Sequence, residues 1–244
     1  MKLHTIDGIE VFVEEADRYV QINDISGKDL SVVWETLQKD FHGYELVLCF
    51  RDVVVPVEAL ATIKAEVLED CITMTVTQDG FVSCGRDDVT DGLISCDCSD
   101  AIPDGLIPCN CSEISPLEKS GFAAFAALHD KINPECGGTS QGIWRKWDNW
   151  RVLLLRKNGE IIGYTILLVA LRDTTMGEIF CVWAGSHAYR KALLSAVVQI
   201  AFENGKDVVL YMVDRDNTDE LTAATEVGFQ EVGYYVGYRV ECIR

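Results

Sequence analysis

The stretch Gly177-Glu178-Ile179-Phe180-Cys181-Val182-Trp183-Ala184-Gly185-Ser186-His187-Ala188-Tyr189-Arg190-Lys191-Ala192-Leu193-Leu194 decides how this chain is read. Gly177–Trp183 is apolar, aromatic and of strand length, and predicts a strand. After it, Ala192, Leu193, Ala196, Val197 and Ile200 recur at helical spacing, so Ala188–Asn204 is expected to be a long helix ended by Gly205. The pattern then repeats in shorter form. Val208–Val213 reads as a strand, Thr218–Val227 as a helix ended by Gly228, and Gly233–Glu241 as a closing strand.

Upstream, Phe122–Ile132 and Gln141–Trp150 look helical. Arg151–Arg156 and Glu160–Val169 flank Asn158-Gly159, a dipeptide that supplies the two positive φ angles of a tight hairpin turn. The third zone of the chain, 115–244, therefore has the order α-α-β-β-β-α-β-α-β.

That order resembles the GNAT-type acyl-CoA N-acyltransferases. The segment Arg156-Lys157-Asn158-Gly159-Glu160-Ile161-Ile162-Gly163-Tyr164 is similar to the family's second and third strands, and Glu178–Trp183 leading into Gly185–Lys191 to its acyl-CoA motif. Asn217, eleven residues before Gly228-Phe229, looks like the family's Asn…Gly-Phe signature. About half of the chain is covered. The resemblance implies an α/β (α+β) fold with a mixed, mostly antiparallel sheet flanked by helices. It implies that Phe180, Val182 and Trp183 lie on the strand that pairs with pantetheine. Gly185, Ser186, His187, Ala188, Tyr189, Arg190 and Lys191 would hold the pyrophosphate of acetyl-CoA, where helix N–H groups and the helix dipole favour an anion. Asn217 would join them. Glu178 is the candidate general base, with Asp214 and Asp216 as second choices that also suit a capping role.

Two departures bear on chemistry. The family builds the loop as Arg/Gln-x-x-Gly-x-Gly/Ala, whereas the matching residues here run Gly185-Ser186-His187-Ala188-Tyr189-Arg190. His187, Arg190 and Lys191 either bind phosphate by charge or form a solvated helix start. The family's thiolate-protonating Tyr also falls on Ala224, leaving Tyr189, Tyr211, Tyr234, Tyr235 and Tyr238 as substitutes or as packed aromatics. The expected activity is transfer of an acetyl group from acetyl-CoA to a small-molecule or peptide amine. The alternative is a non-catalytic binding or regulatory module on the same fold.

Before this zone the chain reads as two further segments. Residues 1–80 form an N-terminal α/β region: strands at Ile9–Val13 and Tyr19–Ile22, a helix over Leu30–Phe41 and a strand at Tyr44–Phe50. A second helix opens at Pro56 with Leu60, Ile63, Val67 and Leu68 on one face, and a strand covers Ile72–Val76. Its α-β-α-β order mimics the second half of the third zone, so it reads either as a degenerate half-GNAT unit or as an unrelated cap. Residues 81–114 connect the two and contain a short repeat, Asp91–Asp100 echoed by Asp104–Glu113. Its thiols Cys96, Cys98, Cys109 and Cys111 read as a structural Zn(II) site, as redox-active disulfides or as ordinary buried thiols; Cys84 and Cys136 are further ligand candidates.

The whole chain has 244 residues, a formal net charge of −18 and ten cysteines. That charge argues against nucleic acid or an anionic membrane as partner, since both demand a basic face. No apolar run approaches the roughly 20 residues of a membrane helix, and Met1–Glu10 lacks the basic and apolar character of a signal peptide. A cytoplasmic protein with reduced thiols is expected.

Overall fold

The structure is a computed structural model, and it describes residues 2–6, 9–15, 18–23, 30–52, 57–83, 112–134, 138–170 and 174–240. The thiols of Cys84, Cys96, Cys98, Cys109, Cys111 and Cys136, and Pro56, lie outside the described residues. In chain order the elements are β1 (Lys2–Ile6), β2 (Ile9–Glu14), β3 (Tyr19–Asn23), α1 (Leu30–Asp40), β4 (Glu45–Arg51), α2 (Val57–Thr62), β5 (Ala65–Thr77) and β6 (Ser112–Pro116). They continue with α3 (Phe122–Ile132), α4 (Ser140–Arg145), β7 (Trp150–Lys157), β8 (Glu160–Leu168), β9 (Met176–Ala184), α5 (His187–Glu203), β10 (Val208–Asp214), α6 (Thr218–Glu226) and β11 (Gln230–Val240). They fall into two compact units, one of residues 1–73, 214–216 and 232–244, the other of residues 74–213 and 217–231.

The first unit carries the strand order β1-β2-β3-β4-β11. β1/β2, β2/β3 and β4/β11 are antiparallel and β3/β4 is parallel. Ile9, Val11 and Val13 alternate inward along β2, the period of a strand with one buried face. Leu46 to Phe50 are instead buried without a break, as befits a central strand covered on both faces. Ile9, Val11, Val13, Leu46, Leu48 and Phe50 form the unit's core with Leu37 of α1 and Leu60 of α2.

The second unit carries the order β10-β9-β8-β7-β6. β9/β10 is parallel and the other pairs are antiparallel, so each unit holds a mixed, mostly antiparallel sheet. Lys157 faces Glu160 across a two-residue turn, with φ of 54° at Asn158 and 84° at Gly159, as the Asn-Gly signal predicts. Tyr164 and Ile166 pack with Phe125 of α3 and Ile143 of α4. The preceding residue, Gly163, turns to the other face, where an added Cβ would sit 3.1 Å from Leu193 of α5. The sheet thus has α3 and α4 on one side and α5 on the other.

Four elements differ from the sequence reading. α2 stops at Thr62, because Lys64 takes a left-handed φ of 53°; Val67 and Leu68 lie on β5, with Val67 62% exposed. The helix expected over Gln141–Trp150 ends at Arg145, since Lys146 departs from helical dihedrals (φ −125°, ψ 45°). A single 3-10 turn, Trp147–Asn149, follows, and Trp150 opens β7. β1 and β6 were not expected: each is a five-residue strand with little apolar periodicity, held by one antiparallel neighbour.

Candidate functional site

The ladder between β9 and β10 runs Val208↔Met176, Val209↔Gly177, Leu210↔Glu178 and Tyr211↔Ile179, and ends there. β9 continues to Ala184 and β10 to Asp214, so the two parallel strands part over their C-terminal halves. On its other edge β9 stays paired with β8 as far as Gly163↔Ala184. Ile166 faces Cys181 while Leu167 faces Ile179, which leaves Phe180 as an extra residue, a β-bulge where the strands separate. The bulge resets the alternation of side chains. Phe180, Cys181 and Trp183 consequently all pack on the α3/α4 face, while the buried Val182 is not part of that cluster.

β9 is followed by Gly185 and Ser186 and then by the 17-residue helix α5. Ser186 is its N-cap, the hydroxyl accepting from the Tyr189 amide at 3.4 Å. Among the described residues beyond its chain neighbours, nothing lies within 4 Å of the position a Cβ would take at Gly185. The strand opening therefore runs into an exposed helix start whose N–H groups and dipole suit an anion.

The basic side chains of that first turn already have carboxylate partners on α6. His187 Nδ1 is 2.7 Å from Asp219 and its Nε2 3.4 Å from Glu226; Arg190 pairs with Asp219; Lys191 is 3.2 Å from Glu226. Hydrogen bonds from Lys191 and then His187 hold the Glu226 carboxyl below its ordinary range. The Arg190 side chain is mostly buried, and its Nε has no hydrogen-bond partner among the described residues.

Glu220, in the first turn of α6, is the group that the sequence did not single out. Its Oε1 accepts the Tyr211 hydroxyl, and its Oε2 is 2.5 Å from the Asn217 side-chain amide. Asn217 also caps α6, its Oδ1 accepting from the Glu220 amide at 3.2 Å. Burial, partly offset by the Arg190 charge, pushes the Glu220 carboxyl up to about 7. Only the Asn217-x-x-Glu220 spacing of a capping box was visible in the sequence.

The remaining expected residues are placed as follows. Glu178 is the third residue of β9, half-buried, inside the paired part of the ladder and two residues before the bulge. Asp214 caps a turn, accepting from the Asp216 amide at 2.9 Å. Ala224 is fully buried in α6. Tyr235 is buried, with its hydroxyl 2.9 Å from Cys49. Phe180 packs edge-on against Trp150, and Trp183 lies 5.6 Å from the Tyr164 ring.

Next to this face lies a buried polar chain. His129 Nε2 donates to the Gly138 carbonyl at 3.0 Å, and its Nδ1 meets the Tyr164 hydroxyl at 2.9 Å. Asn133 donates to Tyr164 at 2.7 Å and to Cys181 Sγ at 3.3 Å. Trp147 and Trp150 line a cavity of about 510 Å³ together with Arg151, Glu203 and Asn204, at the end of the sheet away from the strand opening. Among the described residues no group of three or more His, Cys, Asp or Glu could hold a metal ion, and no helix is long and apolar enough to cross a membrane.

Solved structures match the fold over nearly the whole chain. A GCN5-related N-acetyltransferase from Kribbella flavida matches with a TM-score of 0.64 at 11% identity, covering 98% of this chain and 89% of that one. The fold is that of the GNAT N-acetyltransferases. A GNAT enzyme from Sphaerobacter thermophilus gives a TM-score of 0.60 at 15% identity, covering 97% and 76%. A tandem GNAT protein from the clavulanic acid biosynthesis pathway gives 0.59 at 12%, covering 97% and 79%. No family model matches the sequence, and a search of curated proteins finds no match.

Proposed function

We propose that the protein is an N-acetyltransferase that moves an acetyl group from acetyl-CoA to a small-molecule or peptide amine in the cytoplasm. The observation that carries this reading is the opening of β9 from β10 beyond Tyr211↔Ile179, directly before the N-terminus of α5. Backbone groups of β9 from Phe180 to Trp183 would pair with the amide arm of pantetheine. The first-turn amides of α5 at His187 and Ala188 would take the pyrophosphate. The open space at Gly185 and the orphaned Arg190 Nε fit this ligand, one leaving room for a phosphate and the other seeking an acceptor oxygen. Bound there, acetyl-CoA supplies an activated acyl carbon. Glu178 would take the proton of the attacking amine, directly or through water. The acidic chain favours a cationic acceptor in approach.

A non-catalytic module on the same fold is favoured by one observation: His187, Arg190 and Lys191 already meet Asp219 and Glu226. Titration calorimetry with acetyl-CoA separates the two. The enzyme reading expects micromolar binding that Arg190→Glu abolishes; no heat at millimolar ligand would leave the fold serving another role.

A further inference from the structure

An acyl transfer to an amine needs a proton for the departing thiolate, and Ala224 has none to give. Tyr189, Tyr211, Tyr234, Tyr235 and Tyr238 were the alternatives, and the structure gives Tyr211 a different task. Its ring is buried against Phe229, and its hydroxyl ends on Glu220. Tyr211 is also the last β10 residue laddered to β9, so its side chain marks the point where the strands part. Around the Glu220 carboxyl stand Tyr211 of β10, Asn217 at the N-cap of α6 and Arg190 in the first turn of α5.

We propose that Glu220 is the proton donor to the CoA thiolate, held in place by Tyr211 and Asn217. This rests on the acyl-CoA reading of the β9/β10 opening. The amine nitrogen bonds to the acyl carbon, the carbon–sulfur bond breaks, and the sulfur takes the Glu220 proton. The amine's surplus proton leaves through Glu178 or water, and Glu220 is reprotonated from solvent, so charge and protons balance over the cycle.

The surroundings favour a group that changes protonation near neutrality. Burial alone would keep the carboxyl protonated; Arg190 pulls it back, so that it sits at about 7. Arg190 is itself shared with Asp219, while His187 and Lys191 are drawn to Asp219 and Glu226. A carboxyl that served only to cap α6 would gain nothing from being turned inward onto a tyrosine hydroxyl, away from the solvent that lowers its cost.

The test measures CoA thiol release from acetyl-CoA with a panel of spermidine, lysine and a short peptide with an unblocked amino terminus, from about pH 5 to 9. Calorimetry of acetyl-CoA binding accompanies each variant. Glu220→Gln should lower kcat by roughly 10²–10³-fold while leaving the acetyl-CoA Kd within about twofold, on the rule that an interaction made only in the transition state moves kcat. Wild-type kcat should fall as pH rises through about 7, where the donor loses its proton, and the variant should lack that limb. Tyr211→Phe, which keeps the carboxyl and removes its positioning hydroxyl, should cost about tenfold and move the limb. An unchanged rate and pH limb in Glu220→Gln overturn the proposal. Acetyl-CoA binding without thiol release to any amine or to water overturns the proton-donor role but leaves the acyl-CoA site standing. Absence of binding by the wild type sinks both.

Discussion

The parallel pair β3/β4 in one unit and the parallel pair β9/β10 in the other are built alike and end differently. Each is a strand, a helix and a strand: β3–α1–β4 and β9–α5–β10. β3 is five residues long and is laddered along all of them, from Tyr19↔Glu45 to Asn23↔Cys49. β9 has nine residues, a bulge at Phe180 and only four ladder pairs with β10. The same topology thus gives a closed pair in one place and an opening in the other, and one extra residue in β9 marks where they diverge. The polar groups follow suit. In β4, burial pushes the Cys49 thiol up to about 11 and its partner Tyr235 higher still, so neither exchanges a proton near neutrality. Beside β10, Glu220 sits at about 7 and can.

The largest effect expected from breaking this comparison is kinetic. Glu220→Gln should cost kcat roughly 10²–10³-fold, whereas Tyr235→Phe, which removes the hydroxyl beside Cys49, should leave turnover unchanged, as thiol-release assays would show. Next comes core stability. Leu48→Ala and Leu193→Ala each empty a fully buried leucine site and should each cost about 2–5 kcal/mol by urea unfolding. Of the two, only Leu193→Ala, on α5 behind the opening, should also weaken acetyl-CoA binding.

A pH series sharpens the contrast further. The folded value of Glu220, about 7, lies above its ordinary 4.5. Its stabilising share is therefore full below about pH 4.5 and is lost as pH rises to about 7, because the unfolded chain releases the proton first. Between those limits wild type should lose up to about 3 kcal/mol relative to Glu220→Gln, with no further change above them. Equality of the two stability curves would show that the carboxyl is not perturbed. Smallest is the α5–α6 ion network. Glu226 is held low by Lys191 and His187, so its share is present at neutral pH and lost as pH falls through its depressed value. Since that carboxylate is 42% exposed, Glu226→Gln should shift stability by only a few tenths of a kcal/mol.

Much of the second unit was legible because several local signals agreed. The helical spacing of Leu193, Val197 and Ile200, the Asn158-Gly159 turn and the glycine at the end of α6 each fixed an element to within a residue or two. Gly228 shows why such a signal holds: its φ is 101°, and a Cβ there would collide with the Gly80 carbonyl. Where signals were single, the reading failed. Val67 and Leu68 continued a helical spacing through Lys64, whose backbone forbids it, and Trp150 extended α4 only by composition. The pairing of β11 with β4, far apart in sequence, has no local signal at all. The site was half legible. Its strand and helix could be read from residues 177–194, but the bulge at Phe180 depends on register with β8, and the perturbed carboxyl depends on burial that Asn217-x-x-Glu220 does not announce.

The central claim is that the opening of β9 from β10 is the acyl-CoA site, and hydrogen exchange with and without acetyl-CoA tests it most directly. The account predicts slowed exchange at Phe180–Trp183 and in the first turn of α5, with β3 and β4 unchanged. Identical exchange at Phe180–Trp183 in the two states, with saturating ligand, would contradict it.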